Sequence, residues 1–450
     1  MQQSKKDISS LETKLDNFDP ALRKQALLDL LELVQRGDIP VKPMKDIANL
    51  HCHSFFSYNG YGYSPTHLAW LGKKQGVQFM GVVDFDVLDA VDEFLDACES
   101  VGVCGVAGLE TRVFLPEFEH IEINSPGEPG MCYHMGTGFT TNAVPEEASA
   151  ILDDLRKRAE NRNREMLERI NSFLTPLRID YDTEVLPLTP KSNGTERHMV
   201  QVIAQKADDT ISETASFWAE KLSVPSEEIA EIKKDRNRYK NFLRSKLMKR
   251  GSVGYVQPTQ ASFPTVEEFH TVMKSVGALP CSAWLDGTSK GEQRIEELLH
   301  ILMEKGVAAL NIVPDRNWNI KDPQEKADKL DKLYAVVDLA QRWNLPVLVG
   351  TEMNKFGQKL VDDFNTPELA PIREIFLRGA TILYGHTQLQ RYWGIGMKSA
   401  WADKYFSTRS EKNNFYFKLG GMIKPGFKDK SKDLITFKPQ AVINHFIHNH

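Results

Sequence analysis

His51 and His53 stand one residue apart behind a short apolar run, Ile47-Ala48-Asn49-Leu50. On an extended strand alternate side chains leave the same face, so both imidazoles project together from a strand end. Two neutral imidazoles held side by side are a ready chelate for a divalent metal. Acids recur where later strand-like runs end. Phe79 to Val83 leads into Asp84-Phe85-Asp86, and Val103 to Val106 leads into Gly108-Leu109-Glu110-Thr111. Pro346 to Gly350 leads into Thr351-Glu352-Met353-Asn354. Histidines and carboxylates gathered at strand ends suit a hydrolytic metal centre, which needs several anchoring ligands and one open position.

Strand, helix and strand alternate around these groups, which indicates a parallel α/β sheet or barrel. In such folds functional groups sit at the C-terminal ends of strands, where His51, His53, Asp84 and Glu110 fall. Asp19-Pro20 opens an amphipathic helix before the first strand, and Ser64-Pro65 opens another that Gly76 ends. His67 lies within that second helix and reads as structural. From Pro145 to about Gly251 charged helical patterns replace the strand signal, as an inserted helical subdomain. Thr265 to Glu268 then forms a capping box. Leu279 to Trp284, Val307 to Val313, Pro346 to Gly350 and Thr381 to Gly385 read as further strands, with His386 after the last.

The implied division is an N-terminal helical extension (1–46), a first barrel part (47–145), the insertion (146–258), a second barrel part (259–400) and a C-terminal extension (401–450). The extension is basic and aromatic, with Tyr405, Phe415, Lys424, Lys428 and Lys430. Its terminal histidines, His445, His448 and His450, are assigned no site.

Composition narrows the class. The 450 residues are 41% hydrophobic and 26% charged, as in a soluble globular protein. No apolar run is long enough for a membrane span, and the first residues lack the apolar core of a signal peptide, so a cytoplasmic location is expected. Five cysteines without C-x-x-C spacing read as reduced thiols. A net charge of -5 with mixed signs argues against non-specific nucleic-acid binding.

The order of motifs resembles the PHP family of polymerase-and-histidinol-phosphatase-type metal-dependent phosphoesterases. The matching stretches are LHCHSFFSYNG, VVDFDVLDAVDEF, GLETRVF, YHMGTGF, a helical insertion carrying Arg197-His198, then GYVQP, ALPCSAW and VGTEMN. They span roughly residues 47 to 360 in family order. The resemblance implies a distorted (β/α)7 barrel with the insertion and both extensions, and up to three metals in the strand-end cleft. Carried over residue by residue, His51, His53, Glu110 and Glu352 match one metal site. His134 matches part of a second, whose other histidine is replaced by Trp284. The third is lost, with Phe85 and Asn354 in place of ligands. Asp84 or Asp86 is a replacement carboxylate, and His386 a replacement imidazole.

The resemblance further implies a divalent metal, Mn, Zn or Fe, as one or two ions, and attack of metal-bound water on the phosphoester of a small phosphorylated molecule. Asp84, Asp86 or His134 would assist proton transfer. Arg197, His198, Arg316 and Lys355 would bind the substrate, as basic groups suit phosphate; Arg391 is a further cation of that kind. The alternative is a degenerate barrel that binds a phosphorylated or nucleotide ligand, or a protein partner, without turnover. The chain contains no polymerase-sized remainder, so an editing domain attached to a replicative polymerase is not expected.

Overall fold

The computed structural model describes residues 2–427 and 433–448. Lys428, Lys430 and His450 lie outside them, as does the side chain of His448. Seven strands pair in chain order: β1 (Lys45–Cys52), β2 (Val77–Phe85), β3 (Cys104–Phe114), β4 (Met131–Thr137), β5 (Leu279–Trp284), β6 (Ala309–Ile312) and β7 (Val347–Val349). β1 to β3 are parallel, as are β5 to β7. A parallel bridge between Cys52 and Glu352 brings the exit of β7 against β1, so the sheet is a nearly closed barrel wrapped by helices.

The expected parallel pairing holds on both sides of β4, which itself runs antiparallel to both neighbours. Parallel pairing needs a crossover, usually a helix. Between β3 and β4 the chain has only a Gly/Pro-rich loop with one short turn of helix, Pro116–Phe118, and antiparallel pairing follows.

The run Thr381 to Gly385 is also corrected. It lies within the helix Arg373–Trp393, and all five of its residues are buried. A helix buried on every side loses its polar stripe and reads as a strand. Gly379 and Gly385 fit their close neighbours: a Cβ would meet the Val347 carbonyl oxygen at 2.0 Å and the Tyr416 carbonyl oxygen at 2.2 Å.

Two compact units make up the chain. The first, Met1–Ser54, Asn59–Leu152 and Pro264–His450, holds the barrel. Its strands are buried on both faces, which is why most read as continuous apolar runs. The second, Phe55–Tyr58 and Asp153–Phe263, is helical. It has its own core of Met166, Ile170, Met199, Ile203, Trp218 and Tyr239 among others. Among the described residues no helix is long and apolar enough to cross a membrane.

Candidate metal centre

β1 delivers His51 and His53, and β3 delivers Glu110. Both imidazoles aim at one carboxylate oxygen: His51 Nε2 lies 3.2 Å and His53 Nε2 3.3 Å from Glu110 Oε2. One ligand atom from each of the three falls within 4.8 Å of the others. Strand register explains the convergence. Phe85 of β2 pairs with Glu110, so both face the barrel interior. There the Phe85 ring stacks on His53 with centroids 4.2 Å apart.

Asn311, on the interior face of β6, fixes His51. Its Oδ1 lies 3.0 Å from His51 Nδ1. An amide oxygen only accepts, so the neutral ring carries its proton on Nδ1. His51 Nε2 then presents a lone pair to the Glu110 carboxylate. Two acceptors at 3.2 Å need a proton or a cation between them. Without a metal, a proton serves. Burial opposes charge on His51, yet the adjacent Glu110 carboxylate raises its pKa above the usual histidine value. Burial likewise opposes ionisation of Glu110, but His51, seconded by His53, lowers it to about 2. An anionic carboxylate and two imidazole nitrogens are the donor set of a borderline divalent cation, and a buried partner on the far ring nitrogen is the support such ligands take.

Glu352 stands at the same mouth but outside this cluster. Its backbone clamps β1: the amide donates to the His51 carbonyl at 2.7 Å and the carbonyl accepts from His53 N at 2.7 Å. Glu352 and Met353 both have positive φ, +62° and +53°. Two consecutive left-handed non-glycine residues are a strained turn held by its surroundings. The Glu352 carboxylate accepts from Arg316 Nη2 at 2.8 and 3.1 Å. Asn354 approaches it at 3.4 Å. The carboxylate is thus matched to a guanidinium, and among the described residues the ligand atoms that lie together are those of His51, His53 and Glu110.

Other expectations are corrected by strand alternation. β4 pairs Met135, not His134, with Glu110. His134 therefore points out of the barrel, where its Nε2 meets His270 Nε2 at 2.8 Å on the helix Val266–Val276. Burial and the neighbouring His270 hold its pKa well below the ordinary value. Asp84 faces away from Glu110 too, and accepts from Ser54 N at 2.8 Å and Ser54 Oγ at 2.6 Å. Asp86 accepts from Thr111 Oγ1 at 2.6 Å. None of the three is brought to the cluster as a proton carrier.

Trp284 lies opposite to interior-facing Ala283 and belongs to the apolar core, so it does not line the site. His386 is inside the helix Arg373–Trp393, and its Nδ1 accepts from Met397 N at 3.0 Å. Arg391 pairs with Asp96 and Glu99. His67, read as structural, contacts Asp16 Oδ2 at 2.7 Å. In the helical unit Arg197 donates to Asn241 Oδ1 at 3.2 Å. His198 is buried there, and its Nδ1 accepts from Thr195 N at 3.2 Å as a helix cap. Lys355 is exposed on the loop that follows Glu352.

Three interior residues escape the sequence reading. Asn311 is the lone polar side chain of β6, and a polar residue in an apolar strand is itself a signal. Arg112 and Tyr133 pair two positions beyond Glu110 and Met135, on the same face. Counting by two from Glu110 finds Arg112.

No family model matches the chain, and no curated protein is detectably similar to it. Solved structures similar in fold include the following two. One is an amidohydrolase from Chromobacterium violaceum with bound sulfate and no metal, at 17% identity and TM-score 0.48, covering 73% of this chain and 95% of that one. The other is a "putative metal-dependent phosphoesterase" from Bifidobacterium adolescentis, at 18% identity and TM-score 0.48, covering 74% and 98%.

Proposed function

We propose that the chain is a metal-dependent hydrolase of the PHP type that cleaves the phosphoester of a small phosphorylated molecule. One observation carries this reading: the His51 Nε2 lone pair and the Glu110 carboxylate face each other across 3.2 Å, an arrangement a cation completes. A divalent ion held by His51, His53 and Glu110 supplies a Lewis acid that polarises a phosphoryl oxygen and acidifies water.

The chain's own residues supply the rest. Arg316 is 42% exposed, spends only Nη2 on Glu352, and has Nε and Nη1 left to meet phosphate oxygens. Glu352 orients that fork. Lys355, exposed beside the same turn, adds a second cation. Phe85, stacked on His53, keeps one wall of the metal cluster apolar, which strengthens charge interactions there.

A second reading, a barrel that binds a phosphorylated ligand without turnover, draws on the small size of the three-residue cluster. The deciding experiment combines elemental analysis of protein purified without chelator with a phosphoester panel in Mn, Zn and Fe. A bound ion and turnover abolished by His51→Ala support hydrolysis. Phosphate binding with no turnover on any phosphoester supports the second reading, and absence of any bound ion overturns the hydrolase account.

A further inference from the structure

The short helix Asp315–Trp318 carries Arg316 and is anchored at three successive residues. Arg316 holds Glu352. Asn317 Nδ2 donates to the Leu285 carbonyl at 3.0 Å. Trp318 Nε1 donates to Asp362 Oδ1 at 2.8 Å. Asp362 is 4% exposed and sits between two fixed points of its loop. Two residues earlier, the Leu360 carbonyl accepts from Asn49 Nδ2 at 2.5 Å; two residues later, Phe364 is packed in the core. Asn49 in turn stands two positions before His51 on β1. A path therefore runs from the Asn49 side chain of β1 along the Leu360–Asp362 loop, through the Trp318 hydrogen bond, to the helix that carries Arg316.

We propose that Asp362 is a positioning residue, which through Trp318 sets where the Arg316 guanidinium meets the substrate's anionic group. The inference rests on the phosphate-binding role given to Arg316 above. Among the described residues no basic group lies within ion-pair distance of this buried acid. The charges that face it are Asp315, on the same short helix, which opposes ionisation, and Lys359 of its own loop, which favours it. Lys359 Nζ lies 5.5 Å from the centroid of the Trp318 ring. Burial raises the Asp362 carboxyl to about 7, so the link changes charge near neutral pH.

Asp362→Ala and Trp318→Phe each remove one hydrogen-bond partner, while Asp362→Asn keeps the acceptor and removes the charge. The first two are expected to raise KM for a phosphoester, and Ki for inorganic phosphate, by about fivefold to tenfold. In both, kcat should stay within about twofold of wild type, with metal content unchanged. Asp362→Asn should restore KM and abolish a pH dependence of KM centred at about 7. Unchanged KM and Ki in Asp362→Ala, or a KM profile unaltered in Asp362→Asn, overturn the proposal. A crystal structure of Asp362→Ala gives a readout independent of turnover: displacement of Arg316 from Glu352 supports positioning, and Arg316 left in place refutes it. If Asp362→Ala does not fold, Trp318→Phe is read in the same three ways. Wild-type protein that binds no inorganic phosphate defeats the phosphoesterase reading, while the crystal structure still judges the positioning.

Discussion

Gly350 lies directly against His51: a Cβ on Gly350 would stand 2.4 Å from the His51 Cβ and 2.5 Å from its backbone nitrogen. This contact is where the exit of the last strand meets the first, two residues before Glu352. Gly350→Ala therefore pushes on the candidate ligand His51 through the backbone of β1, from a position directly after β7. Overpacking of this kind costs about 1–3 kcal/mol. The expected result is lower stability in denaturant together with reduced bound metal, measured on the same preparation. Wild-type metal content in a destabilised Gly350→Ala would show that His51 is placed independently of the seam.

Metal removal should lower stability through the same cluster. A cation that binds the folded chain and not the unfolded one stabilises by mass action. Treatment with a chelator is expected to lower the melting temperature, and readdition of Mn, Zn or Fe to restore it. Glu110→Gln keeps the side-chain size but removes the charge to which both imidazoles point. Its melting temperature should not respond to metal. A full metal response in Glu110→Gln would place the ion elsewhere.

His134 separates the geometric reading from the family-derived one. On the outer face of β4 it meets His270, whose Nδ1 contacts the Lys305 carbonyl at 3.0 Å. His270 thus donates from Nδ1 and accepts at Nε2, and His134 supplies the proton between them. His134→Leu leaves the His270 acceptor buried without a donor, which costs about 1–3 kcal/mol. Denaturant unfolding should register that loss while elemental analysis finds metal unchanged. Loss of metal in this variant would return His134 to the ligand set.

The pattern of hits and misses reflects what periodicity encodes. Alternation along β1 placed His51 and His53 on one face without any tertiary information, and the apolar runs of β2, β5 and β7 marked barrel strands. Strand direction is not encoded that way, so the antiparallel course of β4 was invisible, and with it the outward face of His134. The run at Thr381 failed because a helix packed on all sides and a buried strand share one composition. Glu352 was legible as a strand-end acid. Its partner was not, because Arg316 is 36 residues away and meets it only when β6 and β7 lie side by side. Counting by two from Glu110 would have reached Arg112, whereas Asp84 is set apart from Glu110 only by the register with β2.

Asp362 makes stability depend on pH in a direction opposite to that of most carboxylates. Its folded value is raised to about 7 from 3.8, chiefly by burial. Below pH 3.8 folded and unfolded chains both hold the proton, and the group is neutral in its effect. Between 3.8 and about 7 the unfolded chain releases the proton and the folded chain keeps it, so stability falls as pH rises. Above about 7 both are ionised and the loss is complete. Asp362→Asn removes this dependence while keeping an acceptor for Trp318 Nε1. The variant should therefore be more stable than wild type at about pH 8, by on the order of a few kcal/mol, with the gap shrinking toward about pH 4. Glu110, lowered to about 2, acts in the opposite sense, since its contribution is lost as pH falls from 4.5 toward that value. The two groups therefore act over largely separate ranges and can be told apart in one series of unfolding curves. A stability gap between Asp362→Asn and wild type that stays constant from about pH 4 to about pH 8 would mean that Asp362 ionises normally in the folded chain.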